Sequence, residues 1–177
     1  MAASIQVRTL SAPGDNEIRE LSEVLIDCVE GGASVSFMLP ITRGTADAFW
    51  RNVGQGVARG ERILLVAEDS AGRIVGTVQI VFAEAENQPH RADIAKMLVH
   101  RRARKHGVGA ALLAAAESAA LNAGRTVLVL DTASDDAERL YARLGWQRCG
   151  VIPGYALLPG GGLCNTTFFY RTLSNGR

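Results

Sequence analysis

Several residue patterns that would announce a function by themselves are missing from this chain. Of its 177 residues three are cysteine, Cys28, Cys149 and Cys164, and their spacing suits neither a zinc-ligand pair nor a disulfide framework. Reduced thiols and no metal are therefore expected. An excess of one charge is missing too, since 19 Lys plus Arg stand against 18 Asp plus Glu. Nothing in that balance would neutralise a nucleic-acid backbone, so nucleic acid is not an expected partner. No apolar run reaches the roughly 20 residues of a membrane helix, and no basic segment followed by an apolar core opens the chain. The default expectation is a cytoplasmic location with no membrane partner. Internal repeats and low-complexity linkers are also lacking. With 47% apolar and 21% charged residues, the chain reads as one compact domain over residues 1–177.

What is present is a glycine loop in a telling place. Arg104-Lys105-His106-Gly107-Val108-Gly109 lies between an apolar run, Ile94 to Val99, and an alanine-rich helical pattern beginning at Ala110. Strand, glycine loop and helix start in that order build a nest of main-chain amides able to hold a diphosphate. The dinucleotide fingerprint would need a third glycine, and the P-loop would need Gly-Lys followed by Ser or Thr. Neither is here. The basic cluster Arg101 to Lys105 could face the phosphates, with a solvated surface loop as its alternative.

Around that loop the periodicity alternates between helix and strand. Ile5 to Thr9 reads as a short strand. Pro13-Gly14-Asp15 supplies a turn and N-cap for a helix over Ile18 to Val29, ended by Gly31-Gly32. After the apolar stretch Val35 to Ile41, a second helix is expected from an N-cap at Thr45 to about Ala58. Ile63 to Ala67 and Ile74 to Phe82 flank Asp69-Ser70-Ala71-Gly72 and read as an antiparallel hairpin. Arg91 to Val99 is the strand feeding the glycine loop. The helix Val108 to Ala123 is apolar nearly all round, which suggests burial between the sheet and other elements. Thr126 to Leu130 is a continuous apolar strand suited to a sheet centre, with Asp131 at its carboxyl end. A helix from Asp136 to Leu144 follows, then strands Trp146 to Val151 and Thr166 to Thr172, with the turn Pro159-Gly160-Gly161-Gly162 and Tyr155 in the loop between them.

Three separated signals in this order resemble one family. They are the strand ending Met97-Leu98-Val99, the loop Arg104-x-x-Gly107-x-Gly109 followed by Ala110-Ala111-Leu112-Leu113, and Ala137-x-x-x-Tyr141-x-x-x-Gly145-Trp146. Together they look like the signatures of the GNAT superfamily of acetyl-coenzyme A dependent N-acetyltransferases. Gly31-Gly32-Ala33-Ser34-Val35, the stretch Arg91 to Met97, Leu130-Asp131-Thr132 and Pro153-Gly154-Tyr155 are similar to its tabtoxin-resistance branch. The resemblance implies an α/β (α+β) GNAT fold: a mixed, mostly antiparallel, splayed sheet of about seven strands with about four helices. It implies acetyl-coenzyme A as cofactor, held by Met97, Leu98, Val99, Arg104, Lys105, His106, Gly107, Val108, Gly109, Ala110 and Tyr141. Lys105 stands where the family commonly has glycine, a position a lysine occupies freely only at negative φ. Ser134 replaces a frequent asparagine and could still cap the helix.

The chemistry of acetyl transfer then selects candidates. An alkylamine, with a pKa of about 10.4, must lose its proton before attack. Asp93 and Asp131 lie on what the fold makes neighbouring, diverging strands, and they are the candidates for deprotonation and amine binding, as in the tabtoxin-resistance enzymes. Their alternatives are an exposed residue paired with Arg91 or Lys96 for Asp93, and a helix cap or ion-pair partner for Asp131. The departing thiolate, with a pKa of about 8.5, would take a proton from Tyr141, the tyrosine such enzymes use; packing in the helix face is its alternative. A main-chain amide near Leu98 or Val99 would meet the oxyanion. Ser34, Phe37 and Tyr155 are candidate acceptor contacts. His90, His100 and His106 are assigned no catalysis, and Cys149 has no evident activating base, so direct transfer is preferred to a covalent acetyl-cysteine. The expected activity is acetylation of a small amine, such as an amino-acid-like toxin, antibiotic or metabolite, giving resistance to it. A non-catalytic acyl-coenzyme A sensor and a protein or peptide N-acetyltransferase stay open as alternatives, as does a homodimer.

Overall fold

In a computed structural model, residues 5–174 are described, and within them the chain forms seven strands, four α-helices and one 3-10 turn. In order these are β1 (Gln6–Thr9), α1 (Asp15–Glu30), α2 (Arg43–Ala58), β2 (Arg62–Glu68), β3 (Ile74–Phe82), β4 (Arg91–Val99), the turn Arg101–Ala103, α3 (Val108–Asn122), β5 (Val127–Thr132), α4 (Asp135–Arg143), β6 (Gln147–Leu157) and β7 (Leu163–Thr172). The strands make one sheet in the order β1-β2-β3-β4-β5-β7-β6. Every neighbouring pair is antiparallel except β4 and β5.

Period-two alternation sorts the side chains to the two faces. In β2, Leu64 and Val66 pack under α1 and α2 with Leu21, Leu25 and Trp50. Leu65 and Ala67 point the other way, to Leu112, Leu113 and Ala116 of α3. Ala92 and Ile94 of β4 also face α3, yet Leu98 joins the opposite cluster although it is an even number of residues further on. A bulge causes the switch. Gln79 pairs with Ala95 and Thr77 with Leu98, so Lys96 and Met97 together oppose Val78. One extra residue exchanges the faces of everything beyond it and bends the strand.

The element order matches the sequence expectations, and the differences are local. α2 begins at Arg43, because Thr42 Oγ1 accepts from the Thr45 amide at 3.1 Å and is the true N-cap. The apolar stretch Val35 to Ile41 is a connecting segment between α1 and α2. α3 buries Val108, Leu112, Leu113, Ala116 and Ala120 but exposes Ala114, Ser118 and Asn122. It is thus covered on one face only, since alanine leaves little apolar area to hide. β5 extends through Thr132, which puts Asp131 inside the strand. Tyr155 lies within β6, where Pro153, Gly154 and Tyr155 bulge opposite Asn165, whose Oδ1 accepts from the Gly154 amide at 3.0 Å.

The loop into α3 carries backbone strain. Gly107, at φ 79°, occupies the left-handed region at the N-cap, and Lys105 sits at φ 64°. The expectation that lysine would be comfortable there only at negative φ thus meets a positive value. A side chain in that region costs about 1–2 kcal/mol. Lys105→Gly should leave unfolding free energy unchanged or raise it by up to about 1 kcal/mol, whereas Lys105→Val should lower it by about 1–2 kcal/mol. Urea unfolding of the two variants checks the order; a Val variant as stable as the Gly variant contradicts the left-handed assignment. Leu112→Ala, at a fully buried site between α3 and the sheet, should cost about 2–5 kcal/mol in the same assay.

Candidate functional site

The strands β4 and β5 pair in parallel for only three residues, Arg91 with Val127, Ala92 with Leu128 and Asp93 with Val129. Beyond that point β4 continues along β3, bent by its bulge, and β5 continues along β7. The two strands diverge, and the β5-facing edge of Ile94 to Val99 is left without a strand partner. A wedge opens between them.

At the carboxyl end of β4 the chain runs into the glycine loop. Among the described residues no backbone carbonyl accepts from the amides of Lys105 to Ala110; the next amide, that of Ala111, donates to Gly107. Six successive N–H groups at a helix start without a main-chain acceptor are the arrangement an anion cradle requires. Gly109 has a separate reason to be glycine, for a Cβ there would lie 3.1 Å from Leu140 Cδ2 of α4. Lys105 and His106 are exposed. The Arg104 side chain turns back toward the strand end, its Nε donating to Val99 O at 3.1 Å, so from Arg104 only the main chain is placed beside the cradle. Arg101 is also taken up: its amide and Nε donate to the two Asp27 oxygens at 2.7 and 2.9 Å. Although burial works against ionisation of Asp27, these bonds and charges outweigh it and hold its carboxyl below the usual range.

On the α1/α2 face of the wedge is a cleft of about 260 Å³ lined by Ser34, Ser36, Phe37, Met38, Asp131 and Tyr155, among others. Parity explains Asp131. Leu128 and Leu130 face α3, so Val129 and Asp131 face the cleft side; Asp93, the register partner of Val129, does too. Phe37 is held edge-on to Phe49 at 5.2 Å and Tyr155 to Phe168 at 5.5 Å. Ser34 Oγ donates to Leu157 O at 3.0 Å, tying the α1–α2 connection to β6. Four predicted residues, Ser34, Phe37, Asp131 and Tyr155, are thereby brought together. Asp93 is not among the cleft's lining and pairs with Arg91 Nη1 at 2.7 Å.

Asp131 is exposed to the cleft, yet enough protein surrounds its carboxyl that burial raises its pKa, with the Lys96 charge lowering it and that of Asp93 raising it further. Its helix-cap alternative is ruled out, because Ser134 Oγ caps α4 by accepting from the Ala137 amide at 3.3 Å. Tyr141 is 4% exposed, against Trp146 and Phe169. Its ring belongs to the α3-side core, and its hydroxyl has no hydrogen-bond partner among the described residues. Burial first, and then the Asp131 charge, push its pKa up, so it stays protonated. The segment Gly32 to Met38 was expected to contact the acceptor, and Met38 as pocket wall, but sequence reasoning singled out neither Ser36 nor Thr166, which also line the cleft. It noticed Lys96 only as a partner for Asp93, since nothing in the residue string marks the bulge.

The comparisons bear on this geometry. The family model for the acetyltransferase (GNAT) domain matches residues 60–148, half of the chain. Among solved structures, a phosphinothricin acetyltransferase from Sinorhizobium meliloti in complex with acetyl-coenzyme A shares 18% identity at a TM-score of 0.80, over 99% of this chain and 91% of that one. An N-acetyltransferase from Staphylococcus aureus Mu50 shares 16% at 0.79, over 97% and 99%. A ribosomal-protein-alanine N-acetyltransferase from Brucella melitensis shares 20% at 0.77, over 95% and 99%. At such identities the likeness is one of fold, and it spans small-molecule and protein acetylators alike. The chain belongs to the GNAT family of acetyltransferases, enzymes whose acetyl donor is acetyl-coenzyme A.

Proposed function

We propose that the protein moves an acetyl group from acetyl-coenzyme A to the amine of a small molecule, by direct attack within a ternary complex. The observation that carries this reading is the wedge between β4 and β5, with the amide cradle of Lys105 to Ala110 at one side and a small acidic cleft at the other. Acetyl-coenzyme A, when bound, supplies an acyl thioester. The cradle suits its diphosphate in both charge and donor count, and the unpartnered edge of Met97, Leu98 and Val99 offers main-chain donors to a carbonyl beside it.

Asp131 accepts the amine's proton, its raised pKa bringing it nearer to the pH at which a carboxylate works as a base. Asp93 contributes negative charge from behind. Tyr141, kept protonated, donates to the departing sulfur. A cleft of about 260 Å³ fits an amino-acid-sized acceptor better than a folded polypeptide. We place the chain nearest the tabtoxin-resistance branch, and the acceptor among amino-acid-like toxins, antibiotics or metabolites. None of its three thiols is disulfide-bonded, which agrees with action in the cytoplasm.

Purified protein should release free coenzyme A from acetyl-coenzyme A with at least one member of a panel of amino acids, toxins, polyamines and peptides. Silence across the panel, with cofactor still bound, would favour the sensor reading. Tyr141→Phe should lower kcat on the order of 10²-fold while sparing cofactor affinity; lost affinity with normal kcat would make the tyrosine structural. Because Asp131 acts ionised, the rate should fall as pH drops through its pKa, which burial raises above the usual aspartate value. Asp131→Asn should remove that acid limb, and an unchanged profile would remove the base assignment.

A further inference from the structure

Three residues other than glycine hold positive φ in the described chain: Ser36 at 77°, Lys96 at 48° and Lys105 at 64°. Lys105 belongs to the cradle. The other two touch each other, for Lys96 Nζ donates to Ser36 Oγ at 3.0 Å across 60 residues of sequence. Each conformation costs free energy that a glycine or asparagine would largely avoid, and such strain persists only where the surroundings fix it. What it achieves here is aim. Lys96 is the extra residue of the β4 bulge, and a bulge redirects the side chain it inserts. Instead of following the strand's alternation, the lysine crosses to the α1–α2 connection and stands 6.0 Å from the Phe49 ring centroid.

The ammonium is thus brought to the rim of the acceptor cleft, beside Ser36, which lines it. Burial lowers the Lys96 pKa, and the opposite charge of Asp131 raises it again. Among the described residues no carboxylate lies within ion-pair distance of Nζ. An ammonium has three donors, and one is used on Ser36. The others are free for an anionic group. Asp131, which lines the cleft and whose charge acts on Lys96, offers the complementary charge.

We infer that Lys96, held by Ser36, binds the carboxylate of the acetyl acceptor while Asp131 takes its amine. The substrate class is then small α-amino acids or their anionic analogues, not simple amines or polyamines. This rests on the acetyltransferase reading above, and it adds a specificity residue that no motif marks. A cation beside Ser36 and a carboxylate lining the same cleft would also orient the amine toward the wedge, so the same pair would set position as well as choice.

Acceptors identical except for the carboxylate test it. Initial rates of coenzyme A release are compared for a panel of free L-amino acids, their carboxamides and the matching decarboxylated amines. At least one free acid should exceed both neutral partners in kcat/KM on the order of 10- to 100-fold, the size of one charge-assisted hydrogen bond. In Lys96→Asn, chosen because asparagine tolerates the left-handed backbone, that preference should collapse through a rise in KM for the free acid. Lys96→Arg, which keeps a cation, should restore part of it. Neutral partners turned over as well as the acids, or equal losses on acid and amide in Lys96→Asn, would overturn the inference. So would turnover of no free acid by protein that binds acetyl-coenzyme A in calorimetry. Failure to bind acetyl-coenzyme A at all would instead strike the underlying reading.

Discussion

Parallel pairing of β4 with β5 stops after Asp93 and Val129, and the functional geometry follows from that early stop. A sheet normally satisfies the main-chain donors and acceptors of its interior strands by the next strand over. Here two adjacent strands in the middle of the sheet give up that partnership. β4 stays with β3 and β5 stays with β7, so the fold is intact on both sides of the opening. The bulge at Lys96 and Met97 makes the separation permanent, because it bends β4 and reverses the faces of Leu98 and Val99 relative to Ile94. The result is a stretch of β4 edge, Ile94 to Val99, without a strand partner inside the sheet, a costly arrangement unless side chains or a ligand use it.

The other site elements are placed by this wedge. The cradle of free amides begins where β4 ends, at one mouth of the opening. The cleft lined by Ser34, Phe37, Asp131 and Tyr155 lies at the other, on the α1/α2 side. Tyr141 approaches from the α3 side, with its ring fixed against Trp146 and Phe169. Two faces of one sheet therefore meet through a gap, a base candidate on one and an acid candidate on the other. Neither Asp131 nor Tyr141 relies on the other for its own position, and the tyrosine senses Asp131 as charge.

Much of this is legible in the residue string, and the limits have physical causes. The glycine loop, the strands and helices around it and the family were readable because each rests on local periodicity or on a short motif. The caps were nearly so: Ser134 caps α4 as expected, whereas the α2 cap moved from Thr45 to Thr42, since two threonines in the same turn compete for one role. Tyr155 was placed on a loop because Pro153 and Gly154 look like a break, yet a three-residue bulge absorbs both within β6. The β4 bulge could not be read at all. It depends on pairing with β3, a long-range property, and Lys96 looks like an ordinary polar residue in an alternating strand. Asp93 shows the converse limit, since its residue type and place suggest chemistry while its contact with Arg91 shows a structural bond as well.

Amide chemical shifts of isotopically labelled protein, followed as coenzyme A is added, examine the wedge most directly. The account predicts saturable perturbations greatest at Lys105 to Ala110 and at Met97 to Val99, with those of α1 and of the β1–β2 edge small. Perturbations confined to other surfaces, or none at concentrations where the folded spectrum is intact, would contradict it.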